Sequence, residues 1–523
     1  MSLFNWFDSW RPRTGKPVLD SATEAAAHDK TAARAAFDAG LAAYDAQNFA
    51  AAVNAFTRAV EHRHDYVEAH NNLGLSYVAL GRFEDAVDEY VLAIHFRPQF
   101  EQAHYNLALV ELESRDFAAA VRSLERAIEV APAYAAAHNA LGYLLTHQTG
   151  DFERGAGHIR EALRLAPEDP DTLCNYSAVL AQEGRAAEAI ELCSRLLSSH
   201  ADMHEARLNR GLARLKLQRW DEGWRDYEAR KLARGNYQRR DLTLPEWQGQ
   251  PLHEKTILVY AEQGLGDQIM FASCVPDVMR RAKNCMIECA PGLAPLFARA
   301  FPATSVIPQG GGDPKVMRLA KAAGAEHQVA FGSLPLHFRT RHEDFPAARG
   351  AYLHADPVRV GYWRERLSAL GRGLKVGISW AGGAPSTGGG SRSTSLGDWA
   401  PIFANERCHC INLQYGRALA DVPAGNASLH RWPEALDNYD ETAALVTALD
   451  LVITVQTALV HLAGALGKPA WVMLQAACEW RYGEQGETMP WYSSVRLVRQ
   501  SVPHDWRPVI ARIAHDLAGL SAR

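Results

Sequence analysis

A chain of 523 residues is too long for one hydrophobic core and points to about three domains at roughly 100 to 200 residues each. Its formal charge of -5, with no block of like charge, offers nucleic acid no basic field. No apolar run approaches the ~20 residues that cross a bilayer, and the opening MSLFNWFDSWRPRTGK lacks the apolar stretch of a signal peptide, so a soluble, cytoplasmic protein without a transmembrane segment is expected.

In chain order, the first aromatics, Phe4, Trp6, Phe7 and Trp10, suit docking onto the chain's own domain better than contact with a membrane surface. A repeat follows. Ala52, Ala86 and Ala120 recur at intervals of 34 residues, as do Ala59, Ala93 and Ala127, and Phe49, Phe83 and Phe117. Small residues let two antiparallel helices approach, aromatics fill the gap beside them, and Pro98 and Pro132 stop the second helix of successive units. This pattern resembles the tetratricopeptide repeat. A fourth unit, from about Ala135 to Pro167, carries one extra residue near Thr149; a fifth runs to about Ser199. The sixth ends in RWDEGWRDYEAR, where Trp220 and Trp224 replace small residues and predict a cap packed on the next domain.

Asn72, Asn106, Asn175 and Asn209 hold the sixth place of their units. In such a unit that place faces the concave groove, where an amide can donate to and accept from a peptide backbone without reading its sequence. A ladder that holds peptide is one reading; bridging between neighbouring repeats is the other. The fourth unit has Ala140 there, beside Asn139, which predicts a missing rung.

Beyond a proline- and charge-rich linker the period changes. Strand-like TILVY (256–260), CMIEC (285–289) and SVIPQ (305–309) alternate with helical stretches such as 267–282 and 291–300, and a second series begins at KVGISWAG (375–382) and continues with CHCINLQYG (408–416), LVITV (451–455) and AWVMLQ (470–475). Alternating strand and helix predicts parallel sheets covered on both faces, with ligands beyond the carboxyl ends of the strands. Segments 352–372 and 508–520 are the expected crossings between lobes. Of eight cysteines, Cys408 and Cys410 alternate like strand residues on one face, and without a second pair at zinc-finger spacing they read as buried thiols.

The stretches DEGWRDYEARK, EQGLGDQIMFA, VGISWAG, SRSTSL, INLQYG, ETAALVTALDLVITVQTALVHLAGALGKPAWVML, EWRYG and PWYSSVRLVRQ, spread from Asp221 to Gln500, carry a resemblance. The chain resembles bacterial tetratricopeptide-repeat glycosyltransferases, whose catalytic half is similar to heptosyltransferases and more distantly to the protein O-GlcNAc transferase. The resemblance implies a multidomain α plus α/β chain, a tetratricopeptide solenoid followed by a GT-B fold of two Rossmann-like lobes. Its parts would be an N-terminal extension (1–30), about six repeats (31–231), a linker (232–254), an acceptor-side lobe (255–355), a nucleotide-sugar lobe (373–500) and a C-terminal helix crossing back (501–523).

The activity so implied is inverting transfer of a sugar from a nucleotide-diphosphate donor to a protein or peptide held by the repeat groove. Such chemistry requires a base for the acceptor proton and positive groups for the departing diphosphate; no metal or other cofactor is expected if side chains and helix ends do the second job. Asp267 matches the position of the proposed base of heptosyltransferases, an N-cap being the plain alternative. Glu262 is its substitute, in an acceptor-side loop with Gln263, Gly264 and Gly266, whose glycines would let acceptor and backbone approach. The helix starting at Thr457 would meet the diphosphate with its first N–H groups, and His461, one turn on, belongs to the donor pocket in the family. Gln456 stands where relatives usually carry Asp, which bears on sugar choice. Arg392 is the expected phosphate cation, with the glycine-rich 384–390 as a lid. Gln414 would lie by the nucleotide base, Ser379 and Trp380 end a strand at the cleft, and Arg481 and Tyr482 match family positions. Two alternatives stay open: heptosyltransferase-like transfer to a saccharide or lipid-linked acceptor, and an interaction scaffold with an inactive transferase half. The sequence leaves both a monomer and an oligomer open.

Overall fold

A computed structural model describes residues 27–521 apart from 234–239, 241, 311, 347–349, 383–391, 417–428 and 504. The expected docking of Phe4, Trp6, Phe7 and Trp10 and the 384–390 lid lie outside the described residues. The chain forms two compact units, Met1–Tyr176 and Ser177–Arg523. That division falls inside the repeats, not at the expected 231/232 boundary, because the last repeat helices share a hydrophobic cluster with the parallel sheets. Among the described residues no helix is long and apolar enough to cross a membrane.

Twelve α-helices precede the first strand among the described residues: α1 (Ala27–Asp45), α2 (Phe49–His62), α3 (Val67–Ala79), α4 (Phe83–Phe96), α5 (Glu101–Glu113), α6 (Phe117–Val130), α7 (Ala135–Leu144), α8 (Phe152–Leu165), α9 (Pro170–Gln182), α10 (Ala186–Ser199), α11 (His204–Lys216) and α12 (Trp220–Tyr227). The 34-residue alanines explain the pairing, since Ala52, Ala59, Ala86, Ala93, Ala120 and Ala127 have no exposed surface. Glycine goes further where an aromatic lies across the partner helix: a Cβ on Gly40 would sit 2.5 Å from the Phe56 ring, and one on Gly74 2.6 Å from Tyr90. Asn48 and Asp116 cap α2 and α6 by accepting from Ala51 and Ala119 N–H. The extra residue of the fourth unit is absorbed as a π-helical turn, Leu145–Thr149, closed by Gly150 at φ 79°.

In the second unit, β1 (Thr256–Tyr260), β2 (Asn284–Cys289), β3 (Thr304–Pro308) and β4 (Ala325–Ala330) form a parallel sheet in the order β3-β2-β1-β4. A second sheet joins β5 (Leu374–Ser379), β6 (Cys408–Asn412), β7 (Leu429–His430), β8 (Leu451–Val455), β9 (Ala470–Leu474), β10 (Thr488–Met489) and β11 (Tyr492–Arg499) in the order β10-β11-β9-β8-β5-β6-β7, parallel except for β10 with β11. Both TILVY and LVITV are buried at every position, as a sheet covered on two faces requires.

The predicted cap holds. Trp224 donates from Nε1 to the Arg339 carbonyl at 2.8 Å and meets Phe271, Trp480 and Trp491 edge-on, and Trp220 packs on Phe345. The expected linker is part of the first sheet's surroundings: Glu246 bridges Gln328, and Arg240 reaches the buried Glu288, Asp313 and the Ala261 carbonyl. Of the two expected crossings, the first connects the lobes: Tyr352 donates to the Ile269 carbonyl, and the helix that follows, Pro357–Ser368, ties Arg359 and Trp363 to Glu441. The second does not. The C-terminal helix, Arg507–Ser521, buries Val509, Ile510, Ile513 and Leu517 with Val376, Ile378 and Ile453 of the second sheet, where its apolar face finds a matching surface.

Candidate functional site

In a doubly wound sheet the crevice for a ligand opens where strand order reverses, at the carboxyl ends. In the second sheet that point lies between β5 and β8, followed by Trp380–Gly382 and Gln456–Thr457 respectively. A Cβ on Gly382 would lie 3.2 Å from Arg392 Cβ and 3.4 Å from the Gln456 carbonyl, so only a bare backbone leaves this crevice its width. Gln456 is 1% exposed, and among the described residues neither its Oε1 nor its Nε2 has a hydrogen-bond partner. A buried amide with both ends unsatisfied is costly, and a polar partner in the crevice would relieve it.

Two helix starts meet beside this crevice. The helix after β1, α13 (Leu265–Ala272), follows Gly264 as its N-cap. Asp267 is therefore in its first turn and is not the N-cap. The helix after β8, α14 (Ala458–Ala465), is capped by Thr457, whose hydroxyl accepts from Leu459 N–H at 3.2 Å. The two helices pack together because Gly266 has no side chain: a Cβ there would meet His461 Cδ2 at 3.0 Å and Ala458 Cα at 3.4 Å. This corrects the expectation for Gly266, whose bare face admits a helix and not an acceptor. Gly264, with φ -66° and ψ 171°, has ordinary extended backbone.

A chain of alternating charges runs across the seam. Arg481 donates from Nε to Asp267 Oδ1 at 3.0 Å, with Nη2 on the same oxygen, and from Nη1 to Glu479 Oε2 at 2.7 Å. Arg392 donates from Nη1 to Glu479 Oε1 at 2.7 Å. Arg481 also covers the Trp480 ring at 4.7 Å. Burial works against the Arg481 charge, but Asp267 and Glu479 outweigh it and push its pKa further up. His461 is 4% exposed and contacts the Tyr492 hydroxyl through Nδ1 at 3.3 Å; burial, helped by Arg481, lowers its pKa to about 3, so the ring is neutral.

Several expected site residues have other work. Gln414 is 3% exposed, and its Oε1 accepts from Ser379 Oγ, Trp380 N and Ala381 N at 2.9 to 3.0 Å while Nε2 donates to the Tyr415 carbonyl. Its amide oxygen is saturated by the end of β5, and one of its two Nε2 protons goes to the Tyr415 carbonyl. Trp380, 1% exposed, is core. Glu262 is enclosed, its Oε1 accepting from Arg230, Gln263 and Gly332, and burial raises its pKa, with Arg230 opposing; it braces the loop against the last repeat and does not face the seam. Gln263 is held by Tyr227, which donates to its Oε1 at 3.0 Å. Asn106 donates to Asn71, Asn175 to Asn139 and Asn209 to Ser177, which is bridging between repeats. Asn72 is buried with an unpartnered Nδ2. Ala140 offers no amide at the sixth place of its unit, and its neighbour Asn139 serves as the acceptor. Glu479 and Tyr492 escaped sequence reasoning, although EWRYG and PWYSS contain them; the signal was a carboxylate two residues before an arginine and a tyrosine opening a strand. Among the described residues no three His, Cys, Asp or Glu side chains converge as metal ligands.

The repeats define the class of the N-terminal part. A tetratricopeptide-repeat family model matches residues 37–99, 105–170 and 148–203. Over 403 residues, 73% of this chain and 67% of the other, the sequence is 31% identical to Protein FlbA of Caulobacter vibrioides (strain ATCC 19089 / CIP 103742 / CB 15), and the chain belongs to the FlbA family. Similar solved structures include YrrB, described as a TPR protein with an unusual peptide-binding site (18% identity, 34% of this chain and 91% of that one, TM-score 0.29), and TTC0263, described as a thermophilic TPR protein in Thermus thermophilus (20%, 35% and 100%, 0.30).

Proposed function

We propose that this protein is a glycosyltransferase of GT-B architecture that transfers a sugar, with inversion, from a nucleotide-diphosphate donor to a protein or peptide bound by its repeats. One observation supports this above others: at the switch point of the second sheet an unsatisfied Gln456 and Arg392 flank Gly382, Arg392 shares Glu479 with Arg481, and Asp267 of the opposite lobe pairs with Arg481. A diphosphate outcompetes Asp267 and Glu479 for the two guanidiniums, since paired phosphate oxygens offer more charge and the same fork geometry. Asp267, released from Arg481, takes the proton of the acceptor hydroxyl as its oxygen bonds to the anomeric carbon. The bond from that carbon to the donor phosphate oxygen breaks, and its electron pair leaves with the diphosphate. Gln456 supplies an amide to the donor, and Thr457 and the α14 N–H groups face the phosphates. The repeats, a protein-interaction scaffold by class, bring the acceptor.

The test is a panel of nucleotide sugars with lysate acceptors, read by mass change and thermal shift. Transfer is expected with the parent chain, and Asp267→Asn should lower it by roughly 10²-fold or more while leaving donor binding in place. Turnover of that variant at the parent rate removes Asp267 as base. The engaged Asp267–Arg481 pair favours a second reading, an interaction scaffold whose transferase half is idle. A donor at 100 times its Kd stabilises its unit by about 2.7 kcal/mol; no stabilisation by any nucleotide or nucleotide sugar decides for the scaffold.

A further inference from the structure

Behind the seam runs a hydrogen-bond relay whose direction is set at one end. The Ile269 carbonyl can only accept, and Tyr352 donates to it at 2.8 Å. A phenol carries one proton, so Tyr352 is left as an acceptor toward the Tyr492 hydroxyl 3.3 Å away. Tyr492 therefore gives its own proton to Tyr352. Its oxygen in turn faces His461 Nδ1 at 3.3 Å, and with the phenol proton committed the contact requires a proton on Nδ1. A neutral imidazole has one proton, which leaves Nε2 as a bare lone pair.

The relay is held by packing. Gly464 admits the Tyr492 ring so closely that a Cβ there would lie 2.3 Å from it, and the ring meets His461 edge-on with centroids 5.9 Å apart. Tyr352 lies in the crossing between lobes and is anchored to α14 by its own N–H on the Ala465 carbonyl. At the other edge of the imidazole, on the Nε2 side, Cδ2 faces Gly266 at the start of α13. Nε2 has no hydrogen-bond partner among the described residues.

We infer that His461 meets its ligand as a hydrogen-bond acceptor through Nε2, and so takes a hydroxyl or N–H group and not a phosphate oxygen. A histidine among cations beside a helix start invites the opposite reading, an imidazolium clamped on phosphate. Two facts stand against it: the relay already uses the Nδ1 proton, and burial with Arg481 nearby disfavours a second one. Tyr352 and Tyr492 are positioning residues that select the tautomer. The inference leans on the glycosyltransferase reading only for the owner of the hydroxyl, a sugar or an acceptor; the tautomer belongs to the free protein.

The experiment is nitrogen NMR of the full chain labelled with ¹⁵N-histidine, His461 being assigned by its loss in His461→Gln. At pH 7 the expected pattern is a protonated Nδ1 and an unprotonated Nε2, unchanged as inorganic pyrophosphate is added. A proton on Nε2, before or after pyrophosphate, overturns the inference. Tyr352→Phe keeps the ring and leaves the Tyr492 proton free to turn toward His461, so it should raise the Nε2–H population; an unaltered tautomer in that variant overturns the relay. Both outcomes are readable whether or not the protein transfers sugar.

Discussion

At the scale of single residues, this site separates polar groups that hold the fold from polar groups that face a ligand. Gln414 and Gln456 are both buried amides at strand ends of one sheet, yet the first is bonded at both its oxygen and its nitrogen and the second, among the described residues, at neither. Gln414→Ala would strand two backbone N–H groups and a hydroxyl, and should lower the stability of the second unit by about 3 kcal/mol, measured as a shift of its denaturant midpoint. Gln456→Leu should leave that midpoint level or higher, since it removes two unsatisfied atoms, while weakening any donor that uses them. His461 makes a pH prediction. Its folded pKa of about 3 lies below the ordinary 6.5, so the unfolded chain binds a proton that the native state refuses. The stability it contributes is present above pH 6.5 and is lost as pH falls toward 3, and His461→Gln should flatten that part of the stability-versus-pH curve.

At the scale of elements, glycines decide how closely helices and rings approach. Gly74 and Gly464 face Tyr90 and Tyr492 at distances no Cβ tolerates, 2.6 and 2.3 Å. Gly464→Ala should displace Tyr492, costing about 1 to 3 kcal/mol and disturbing the His461 relay; a loss of stability without any change in the His461 nitrogen signals would show that the ring gives way elsewhere. The 34-residue spacing, the prolines and the alternating strands were legible in the sequence because each is a local pattern repeated along one chain direction. The roles of the asparagine rungs were not. Asn106 meets Asn71 and Asn175 meets Asn139 because neighbouring first helices bring the fifth and sixth places together, and that geometry makes a bridge of what composition leaves open to a groove.

At the scale of the whole second unit, the last repeat is welded to the sheets. Trp224 is 1% exposed and touches three aromatics from distant parts of the chain. Trp224→Ala should cost about 3 to 5 kcal/mol and, if the unit melts as one body, shift a single transition seen both by tryptophan fluorescence and by far-ultraviolet circular dichroism. Two separate transitions in the parent chain would mean that repeat and sheets fold apart. Acid should weaken the same junction: burial opposes the Glu228 charge, but Arg230 and Lys231 outweigh it and hold its pKa at about 2 against an ordinary 4.5. Its contribution is complete above pH 4.5 and is lost as pH falls toward 2.

What the sequence by itself determined was whatever repeats or alternates over short range: the helical pairs of the solenoid, the fully buried strands, the cap tryptophans and the helix start at Thr457. Only the tertiary structure decided which polar groups meet. Asp267 and Arg481 are 214 residues apart, Tyr492 and His461 31, and Gln414 and Trp380 34, and no local pattern encodes the approach of such pairs. Their partners follow from how two sheets and a cap share one hydrophobic cluster, and a polar side chain's role is fixed by which donors and acceptors that packing leaves within about 3 Å of it.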